Sequence, residues 1–457
     1  MLCIAAFVFI SLSKMKTKIS VFYLLGILAL TNCSSPETTE KIIFNNDILS
    51  ECNLAIQNAV VLDGVAPPVA SRRYFYSTVA AYEAIRPFQA NLVSTVGQLN
   101  GFTKMAKIDT SLGICLDLAA LRAYTQTALD MVYKEDSILA FANRKLKFYE
   151  SNLSDDVYRH SLDWGDSVSR YVLDWANGDT FAQIRGTDLY TAKSSNEYWK
   201  PTPKEYMQAI EPQWKKIRPS FMKNGHQFFD SLPAPTPYNM GENPKFNEMM
   251  REIYETVVNT DSQKILTARY WDDNPNSTFH YGHATIKVLK VSPAGHWLSM
   301  FATVARKQKY NLYQSAEGML RMSSAIFDGF IAVWDAKYTY EYIRPVTVIQ
   351  RHIDSSWLPL IETPAFPEYP SAHSTISSAA ATVLTDMFGE YEFTDSAEFE
   401  FGFGARRYKN FREASDEACM SRIYGGIHFR EGMEFGKNLG NAVGHYHIKN
   451  LITRINK

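Results

Sequence analysis

The chain contains little cysteine and carries almost no net charge. The first argues against a cysteine metal site, and the second against general binding to nucleic acid or to an anionic membrane. Its 457 residues include five cysteines, and 47 Lys and Arg nearly balance 48 Asp and Glu, for a formal net charge of −1. A protein without a strong positive charge has no general attraction for nucleic acid or for an anionic membrane surface. A binding site for an anion must therefore come from a local cluster of cations.

The cysteines are also too far apart for a metal-ligand motif. When the N-terminal segment is set aside, Cys52, Cys115 and Cys419 remain, which is an odd number. One disulfide is possible in an oxidising compartment, although the sequence does not select the pair. We predict that these residues are buried thiols.

The N-terminus has the pattern of a bacterial lipoprotein export signal. Lysines precede the apolar run 21–30, which is too short for a comfortable membrane span and is followed by Cys33. We predict a lipoprotein signal over residues 1–33, starting at Met15 and lipidated at Cys33, and a flexible tether over residues 34–50. A simple membrane anchor or a cleaved secretory signal is the alternative. The protein is expected in the cell envelope, facing the periplasm or the cell surface, with the lipid anchor as its membrane contact.

Most of the remaining chain has apolar residues at three- and four-residue spacing, which is typical of helices that pack on one face. No convincing strand alternation and no internal repeat is visible, and the stretch 186–243 is rich in Pro, Tyr, Trp and Asn, which predicts a long irregular connection. We therefore predict an all-α fold of packed helical bundles. Residues 51–230 are expected to form a helical scaffold half, and residues 231–457 the half that carries the catalytic groups.

Three short polar segments in the C-terminal half are candidates for one anion site. In the first, Trp334 and Lys337 lie three residues apart on a predicted helix and so share a face. Arg344 follows, and Pro345 biases it away from helical geometry, so the helix should end just before it. Lys337 and Arg344 then point at one anion, unless both are simply solvated cations at a helix end.

The second segment combines Ser371 and His373 with the start of a helix predicted over residues 374–388. The N–H groups and the positive dipole end of a helix N-terminus favour an oxyanion. Ser371 adds a hydroxyl donor, and His373 could exchange a proton near neutral pH. Alternatively, Ser371 is only a helix cap and His373 only a surface residue.

In the third segment, Arg422 and His428 lie on either side of the pair Gly425 and Gly426. Six residues apart on a straight helix, the two side chains would not share a face, but the glycines permit a tight bend. Arg422 offers planar donors for oxyanion oxygens, and His428 offers a ring nitrogen as a ligand or nucleophile. The alternative is a glycine loop beside an ordinary core histidine.

The three segments taken together resemble the signature of the vanadium-dependent haloperoxidases, which is shared with acid and lipid phosphatases of the same superfamily. The signature reads Lys, six residues, Arg-Pro; then Pro-Ser-x-His; then Arg, five residues, His. Residues 61–86 also resemble the haloperoxidase helical half, so the resemblance covers roughly residues 50–450. It implies an all-α fold of two packed helical bundles with vanadate as the cofactor.

The resemblance implies roles for five residues that bind the anion. Lys337, Arg344 and Arg422 would neutralise the equatorial oxygens of vanadate, and Lys337 would also polarise bound peroxide. The hydroxyl of Ser371 and the backbone N–H of Ala372 would donate to the same oxygens. The family usually has Gly at the position of Ala372, which keeps the donor but adds a methyl group.

The resemblance also implies roles for four residues around the reacting centre. His373 would be the acid–base group, and His428 would bind vanadium through a ring nitrogen. Trp334 and Phe366 would line the halide side, as in the chloroperoxidase type. Many relatives carry Asp four residues after the last histidine, but this chain has Gly432 there, with Glu431 beside it, so the support of His428 should differ.

The implied activity is the oxidation of halide by hydrogen peroxide to a hypohalous-acid equivalent, which would halogenate a small organic acceptor. An acid phosphatase that acts on a phosphate ester through a phosphohistidine at His428 would use the same residues. A surface glycan-binding lipoprotein is a second alternative, since it fits the export signal and the 13% aromatic content. It leaves the ordered set of cations and histidines unexplained. The remaining histidines, among them His296 and His447, are expected to be structural or exposed.

Overall fold

The computed structural model describes residues 41–455, apart from Asp188, Leu232, Glu242, Asn243, Asn276 and Gly282. The predicted export signal, Cys33 and the first part of the tether lie outside the described residues. The rest of the predicted tether is not a flexible segment, because residues 41–42 form a strand and a helix begins at Ile48. Within the described ranges, no helix is long and apolar enough to cross a bilayer. Cys52, Cys115 and Cys419 are buried thiols without a disulfide, as predicted.

Helices account for most of the described chain, which confirms the predicted all-α class. In chain order they are α1 Ile48–Asp63, α2 Pro67–Ile85, α3 Leu116–Leu129, α4 Asp136–Asn152, α5 Asp155–Ala176, α6 Phe181–Ile184, α7 Pro244–Val258, α8 Ser262–Tyr270, α9 Pro293–Lys307, α10 Leu312–Tyr340, α11 Pro345–His352, α12 Ala372–Phe388, α13 Phe411–Tyr424 and α14 Arg430–Asn450. The helix predicted over 374–388 starts two residues earlier than expected, because Ser371 caps it.

Short strands are present where the sequence showed no alternation. β1 (Lys41–Ile42) pairs in parallel with β2 (Ile114–Cys115), and two antiparallel pairs join β3 (Thr278–Tyr281) to β4 (Ala284–Lys287) and β5 (Phe393–Asp395) to β6 (Arg406–Tyr408). Each strand has only two to four residues. Strands of two or three residues are too short to show a period-two pattern, and the four residues of β3 and β4 are the shortest run in which one can be seen.

Two helices, α2 and α10, form the centre of the fold and pack on each other. Every residue of α2 is buried, and so is almost all of α10, as expected for helices that are surrounded by other elements. The rings of Phe75 and Phe327 stack with centroids 4.9 Å apart, and the hydroxyls of Thr78 and Ser323 lie 2.6 Å apart. α3 and α5 pack on α2, whereas α12 and α14 pack on α10.

A stripe of glycines lets α14 pack unusually close to α12. Added Cβ atoms would lie 2.5 Å from the carbonyl oxygen of Ser371 at Gly436, 2.1 Å from that of Thr375 at Gly440, and 3.0 Å from that of Ala379 at Gly444. Real Cβ atoms do not come this near to backbone oxygens, so these positions require glycine. The close crossing fixes the N-terminal end of α12 beside the start of α14.

The stretch 186–243 is irregular, as predicted, and it packs against α10. Its described residues contain only two short 3₁₀ turns, Trp214–Lys216 and Phe229–Ser231. The carboxylate of Asp328 on α10 accepts hydrogen bonds from the backbone N–H groups of Ser220, Phe221 and Met222. Backbone donors that lack a helix or sheet partner are satisfied in this way.

Candidate active site

The first predicted segment supplies two fully buried cations at a break between helices. α10 ends at Tyr340, where Glu341 adopts a left-handed conformation and donates its N–H to the carbonyl of Lys337 at 2.7 Å. Arg344 is extended, and Pro345 starts the next helix. The helix therefore ends before Arg344, as Pro345 predicted, and both Lys337 and Arg344 have 0% exposure.

The two cations are fixed by backbone carbonyls and by one aromatic ring. Lys337 Nζ donates to the carbonyls of Pro367 at 2.8 Å and Glu368 at 2.9 Å. Arg344 Nε donates to the carbonyl of Phe366 at 2.9 Å. The ring of Phe366 lies 4.9 Å from Lys337 Nζ and 5.1 Å from the Arg344 guanidinium carbon, and its centroid is 4.9 Å from the ring of Trp334. Trp334 and Lys337 thus share a face, as their spacing predicted.

The glycine bend of the third segment brings His428 to this pair. α13 ends at Tyr424, Gly426 has a φ of +77°, and α14 starts at Arg430. Arg344 Nη1 donates to the carbonyl of Ile427 at 2.7 Å and lies 3.1 Å from His428 Nε2. The first and third segments can form a common site only if the side chains of Arg344 and His428 are close together, and the 3.1 Å between Nη1 and Nε2 shows that they are.

A buried carboxylate contacts the other nitrogen of His428. Glu368 Oε1 lies 2.7 Å from Nδ1 and accepts the backbone N–H of Phe429 at 3.0 Å. Burial, followed by the nearby cations Arg344 and Lys337, lowers the pKa of His428 well below its usual value, so the ring is neutral. Burial raises the pKa of Glu368 to about 7, although Arg344 and Lys337 act in the opposite direction.

The second segment begins α12 with a buried cap. Ser371 Oγ accepts from the N–H of Ser374 at 3.4 Å and from its hydroxyl at 3.0 Å. The helix cap that we considered as the alternative role of Ser371 is therefore present. Both bonds use lone pairs of the hydroxyl, so its proton can still be donated. Ala372 is the first residue of α12 and lies against the same cavity as His373.

His373 lies at this cavity with a carboxylate behind it, so it is not a surface residue. Its Nε2 is 3.8 Å from Oδ2 of Asp273. Burial and then Arg422 lower the pKa of His373 to about 4, while Asp273 acts in the opposite direction. The cavity has a volume of about 20 Å³, and its lining consists of Pro67, Asp272, Asp273, Asn274, Pro293, Phe330, Trp334, Pro364, Phe366, Ala372, His373 and Arg422.

Arg422 is held by the C-terminal end of α8. Its Nη2 donates to the carbonyl of Trp271, and its Nε donates to the hydroxyl of Ser421 at 2.9 Å. Arg422 is 1% exposed, and burial lowers its pKa, whereas Asp272 and Asp273 raise it. The cavity therefore brings Arg422 together with His373, Ala372, Trp334 and Phe366.

Several polar residues of the site were not found by sequence reasoning. Asp273 accepts from His296 Nδ1 at 2.9 Å, and His296 Nε2 lies 2.8 Å from Asp395 Oδ2. Burial alone would lower the pKa of His296, but Asp273 and Asp395 raise it well above its usual value. His296 is structural, as predicted, although it is a charged link to Asp273 rather than an ordinary core residue. One indirect sign of Glu368 is visible in the sequence: Gly432 stands where many relatives carry an Asp, so another residue had to support His428.

The buried atoms of this site fit an oxyanion. Arg344 Nη2 and His373 Nε2 have no hydrogen-bond partner among the described residues, although both are inaccessible to solvent. A buried donor without a partner costs about 1–3 kcal/mol, and buried charges are normally paired. An anion with several oxygens would satisfy these atoms and offset the charges of Lys337, Arg344 and Arg422.

Comparisons with known proteins agree with this geometry. Residues 318–457 match the family model described as the VCPO second helical-bundle domain. None of the curated proteins matches the sequence. Two bacterial vanadium-dependent chloroperoxidase structures, of the holo and apo types, share the fold at 15% and 14% identity, with TM-scores of 0.63 and 0.62. They cover 85% and 84% of this chain and 94% of their own chains.

A more similar structure is that of a protein described as the first bacterial vanadium-dependent iodoperoxidase. It is 34% identical to this chain, the alignment covers 92% of this chain and 100% of the other, and the TM-score is 0.85. This identity extends over nearly the full length, and it agrees with the family that the fold and the ordered cations and histidines indicate. The chain belongs to the vanadium-dependent haloperoxidase family.

Proposed function

We propose that this protein binds vanadate and uses hydrogen peroxide to oxidise a halide to a hypohalous-acid equivalent. The observation that carries the proposal is the buried Arg344 Nη2, which has no partner among the described residues and belongs to the guanidinium that contacts the neutral His428. Lys337 and Arg422 add two further buried basic groups. A site of this kind stabilises an oxyanion, because fixed donors that are shielded from water interact strongly with charge. Bound vanadate would supply a Lewis acid that activates hydrogen peroxide.

Each group of the pocket then has a defined task. Lys337, Arg344 and Arg422 hold the negative oxygens, together with the hydroxyl of Ser371 and the N–H of Ala372. His428 would hold vanadium through Nε2, since its Nδ1 faces Glu368. The carbonyl bonds and the ring of Phe366 already fix Lys337 and Arg344, so the main rearrangement on anion entry is the loss of the contact between Arg344 Nη1 and His428 Nε2.

His373 is suited to move the proton of hydrogen peroxide. Its pKa of about 4 in the anion-free site leaves the ring neutral at physiological pH, and the negative charge of a bound oxyanion would raise this pKa towards the range in which a general base is effective. The carboxylate of Asp273, 3.8 Å from Nε2, stabilises the imidazolium that forms. Trp334 and Phe366 line the cavity beside His373 and exclude water from the halide side.

Iodide is the proposed halide. The support is the relative described as an iodoperoxidase, which is 34% identical over 92% of this chain. Iodide is also the most easily oxidised of the three common halides, and the apolar rings of Trp334 and Phe366 suit a large, polarisable anion. A small, electron-rich organic acceptor would consume the oxidised iodine.

One assay series tests the activity and the halide together. The purified protein is incubated with vanadate, hydrogen peroxide and iodide, bromide or chloride, and the halogenation of a dye is followed, with a phosphate ester without vanadate as a parallel substrate. We expect vanadate-dependent turnover of iodide that exceeds bromide in kcat/KM by at least about tenfold and is lost in His428→Ala. Equal rates with bromide would refute the iodide preference. Phosphate release without halogenation would show the alternative acid phosphatase.

We also propose the lipid anchor at Cys33 and the location in the cell envelope that it implies. The support is the order of lysines, a short apolar run and a cysteine over residues 14–33. Expression of the full chain in a bacterium with labelled fatty acid should label the wild type but not Cys33→Ala. Label that persists in the variant, or a mature N-terminus other than residue 33, would refute lipidation at this cysteine.

A further inference from the structure

The carboxylate of Glu368 has a fixed relationship to the proposed vanadium ligand, His428. We propose that Glu368 is the residue that positions His428, and that Gly432 is small in order to leave room for this carboxylate. The inference rests on the proposed function, because it concerns the nitrogen of His428 that would bind vanadium. Glu368 acts through His428 and is therefore a positioning residue.

The contacts of Glu368 and Arg344 define which nitrogen of His428 carries the proton. Oε1 receives the backbone N–H of Phe429 at 3.0 Å, and a backbone N–H can only donate. On the other side of the ring, Arg344 Nη1, at 3.1 Å, can only donate, so Nε2 of the neutral His428 accepts and Nδ1, 2.7 Å from Oε1, carries the proton and is the donor. A second hydrogen bond that fixes a histidine tautomer is typical of metal-binding histidines.

Glu368 is itself rigid, so it can fix the orientation of the ring. Its side chain has 0% exposure, and its backbone N–H donates to the carbonyl of Tyr342 at 2.9 Å. Its own carbonyl accepts from Lys337 Nζ at 2.9 Å. One residue therefore links the segment after α10, the loop before α12 and the bend before α14.

The space for this carboxylate is provided by Gly432. A Cβ atom at position 432 would lie 2.4 Å from Oε1, 2.8 Å from Oε2 and 2.9 Å from the carboxyl carbon of Glu368. Any side chain at this position would displace the carboxylate from His428. The backbone cannot move away easily, because the carbonyl of Gly432 accepts the N–H of Ser371 at 2.8 Å. The Cβ of residue 432 would overlap the Glu368 carboxylate, so we expect an Asp at this position, four residues after His428, to reach the same space once Glu368 is shortened.

The neighbouring acid, Glu431, does not share this role. Its carboxylate accepts from the backbone and hydroxyl of Thr236 at 2.9 and 3.0 Å and pairs with Lys245 at 3.0 Å. Glu431 is therefore a matched control, since it carries the same group near the same bend without contacting the ring.

The test measures vanadate affinity and the His428 tautomer on the full chain. Titration calorimetry with vanadate gives the affinity, and ¹⁵N spectra of histidine-labelled, vanadate-free protein give the tautomer, with His428→Gln for assignment. We expect Glu368→Ala to weaken vanadate binding by about 10–100-fold and to mix the two tautomers. Glu431→Ala should leave both measurements unchanged.

Paired variants keep the inference testable if Glu368→Ala is poorly folded. Gly432→Ala should also weaken vanadate binding, whereas Glu368→Ala with Gly432→Asp should restore affinity and the Nδ1–H tautomer. Wild-type affinity and a single tautomer in Glu368→Ala, or no recovery in the folded double variant, would overturn the inference. If the wild type bound no vanadate, the proposed function would fail, and the tautomer spectra would still report on Glu368.

Discussion

His373 Nε2 lies 3.8 Å from Asp273 Oδ2, and the same carboxylate accepts a hydrogen bond from the buried, charged His296. The proposed acid–base residue is thus connected to a chain of charged groups that continues to Asp395. Because the pKa of Asp273 is lowered by His296 and by His373 itself, its carboxylate stays ionised behind His373 despite its burial.

Replacement of this carboxylate should slow turnover more than it weakens vanadate binding. Asp273→Asn removes the charge that stabilises the His373 imidazolium, and we expect kcat to fall by about 10²-fold. The pKa of His373 would drop further without Asp273, so the acidic limb of the kcat/KM profile should move to lower pH. Steady-state kinetics from about pH 3 to 9 would measure both, with the exposed Asp156→Asn as control. A profile that keeps its acidic limb would argue against the coupling.

Arg344 should not be replaceable by lysine. Its Nε and Nη1 are used by carbonyls and His428, while Nη2 remains to meet the anion, and a lysine cannot reproduce this geometry. A lost hydrogen bond to a charged group corresponds to about 1.5–3 kcal/mol, or about 10–100-fold in vanadate affinity. Calorimetry of Arg344→Lys would measure the loss. Arg351→Lys, on the exposed side of α11, is the control that should bind like the wild type.

The glycine stripe of α14 should be intolerant of a single methyl group. Gly440→Ala places a Cβ 2.1 Å from the Thr375 carbonyl, and overpacking of this kind costs about 1–3 kcal/mol. Alanine is intrinsically the better helix former by about 1 kcal/mol, so a measured loss of stability must come from the clash. Denaturant unfolding should show it, whereas Gly404→Ala, which has open space around it, should be neutral.

The buried carboxyl of Glu398 should make stability depend on pH. Burial, followed by Asp273, raises its pKa from 4.5 to about 8. Between these values the unfolded chain releases the proton and the folded chain keeps it, so this group's contribution to stability is present below pH 4.5 and is lost as pH rises towards 8. Relative to the wild type, Glu398→Gln should therefore gain up to about 1.4 kcal/mol of unfolding free energy per pH unit between these two pKa values. The exposed Glu400→Gln should show a difference that does not vary with pH.

The sequence predicted the helices and the main cationic segments because these depend on local patterns. The proline after Arg344 ended one helix, and the glycine pair before His428 produced the bend that joins Arg344 and His428. Glu368 was not predicted, because its contact with His428 joins residues 60 positions apart. Asp273 lies in an irregular stretch without periodicity, so nothing local shows that it faces His373.

Phe75 and Phe327 stack at the contact between α2 and α10. Because α10 packs on α2 in this way, the C-terminal half of the enzyme should not fold without the N-terminal helices. A fragment cut to residues 318–457, the part that the family model recognises, would contain Lys337, His373 and His428 but would leave the α2 side of α10 bare. It would also lack Asp273 and the α8 carbonyl that holds Arg422. Minimal designs built on the three motifs alone should therefore aggregate, and a working miniature would need a substitute for α2 and the helices that pack on it.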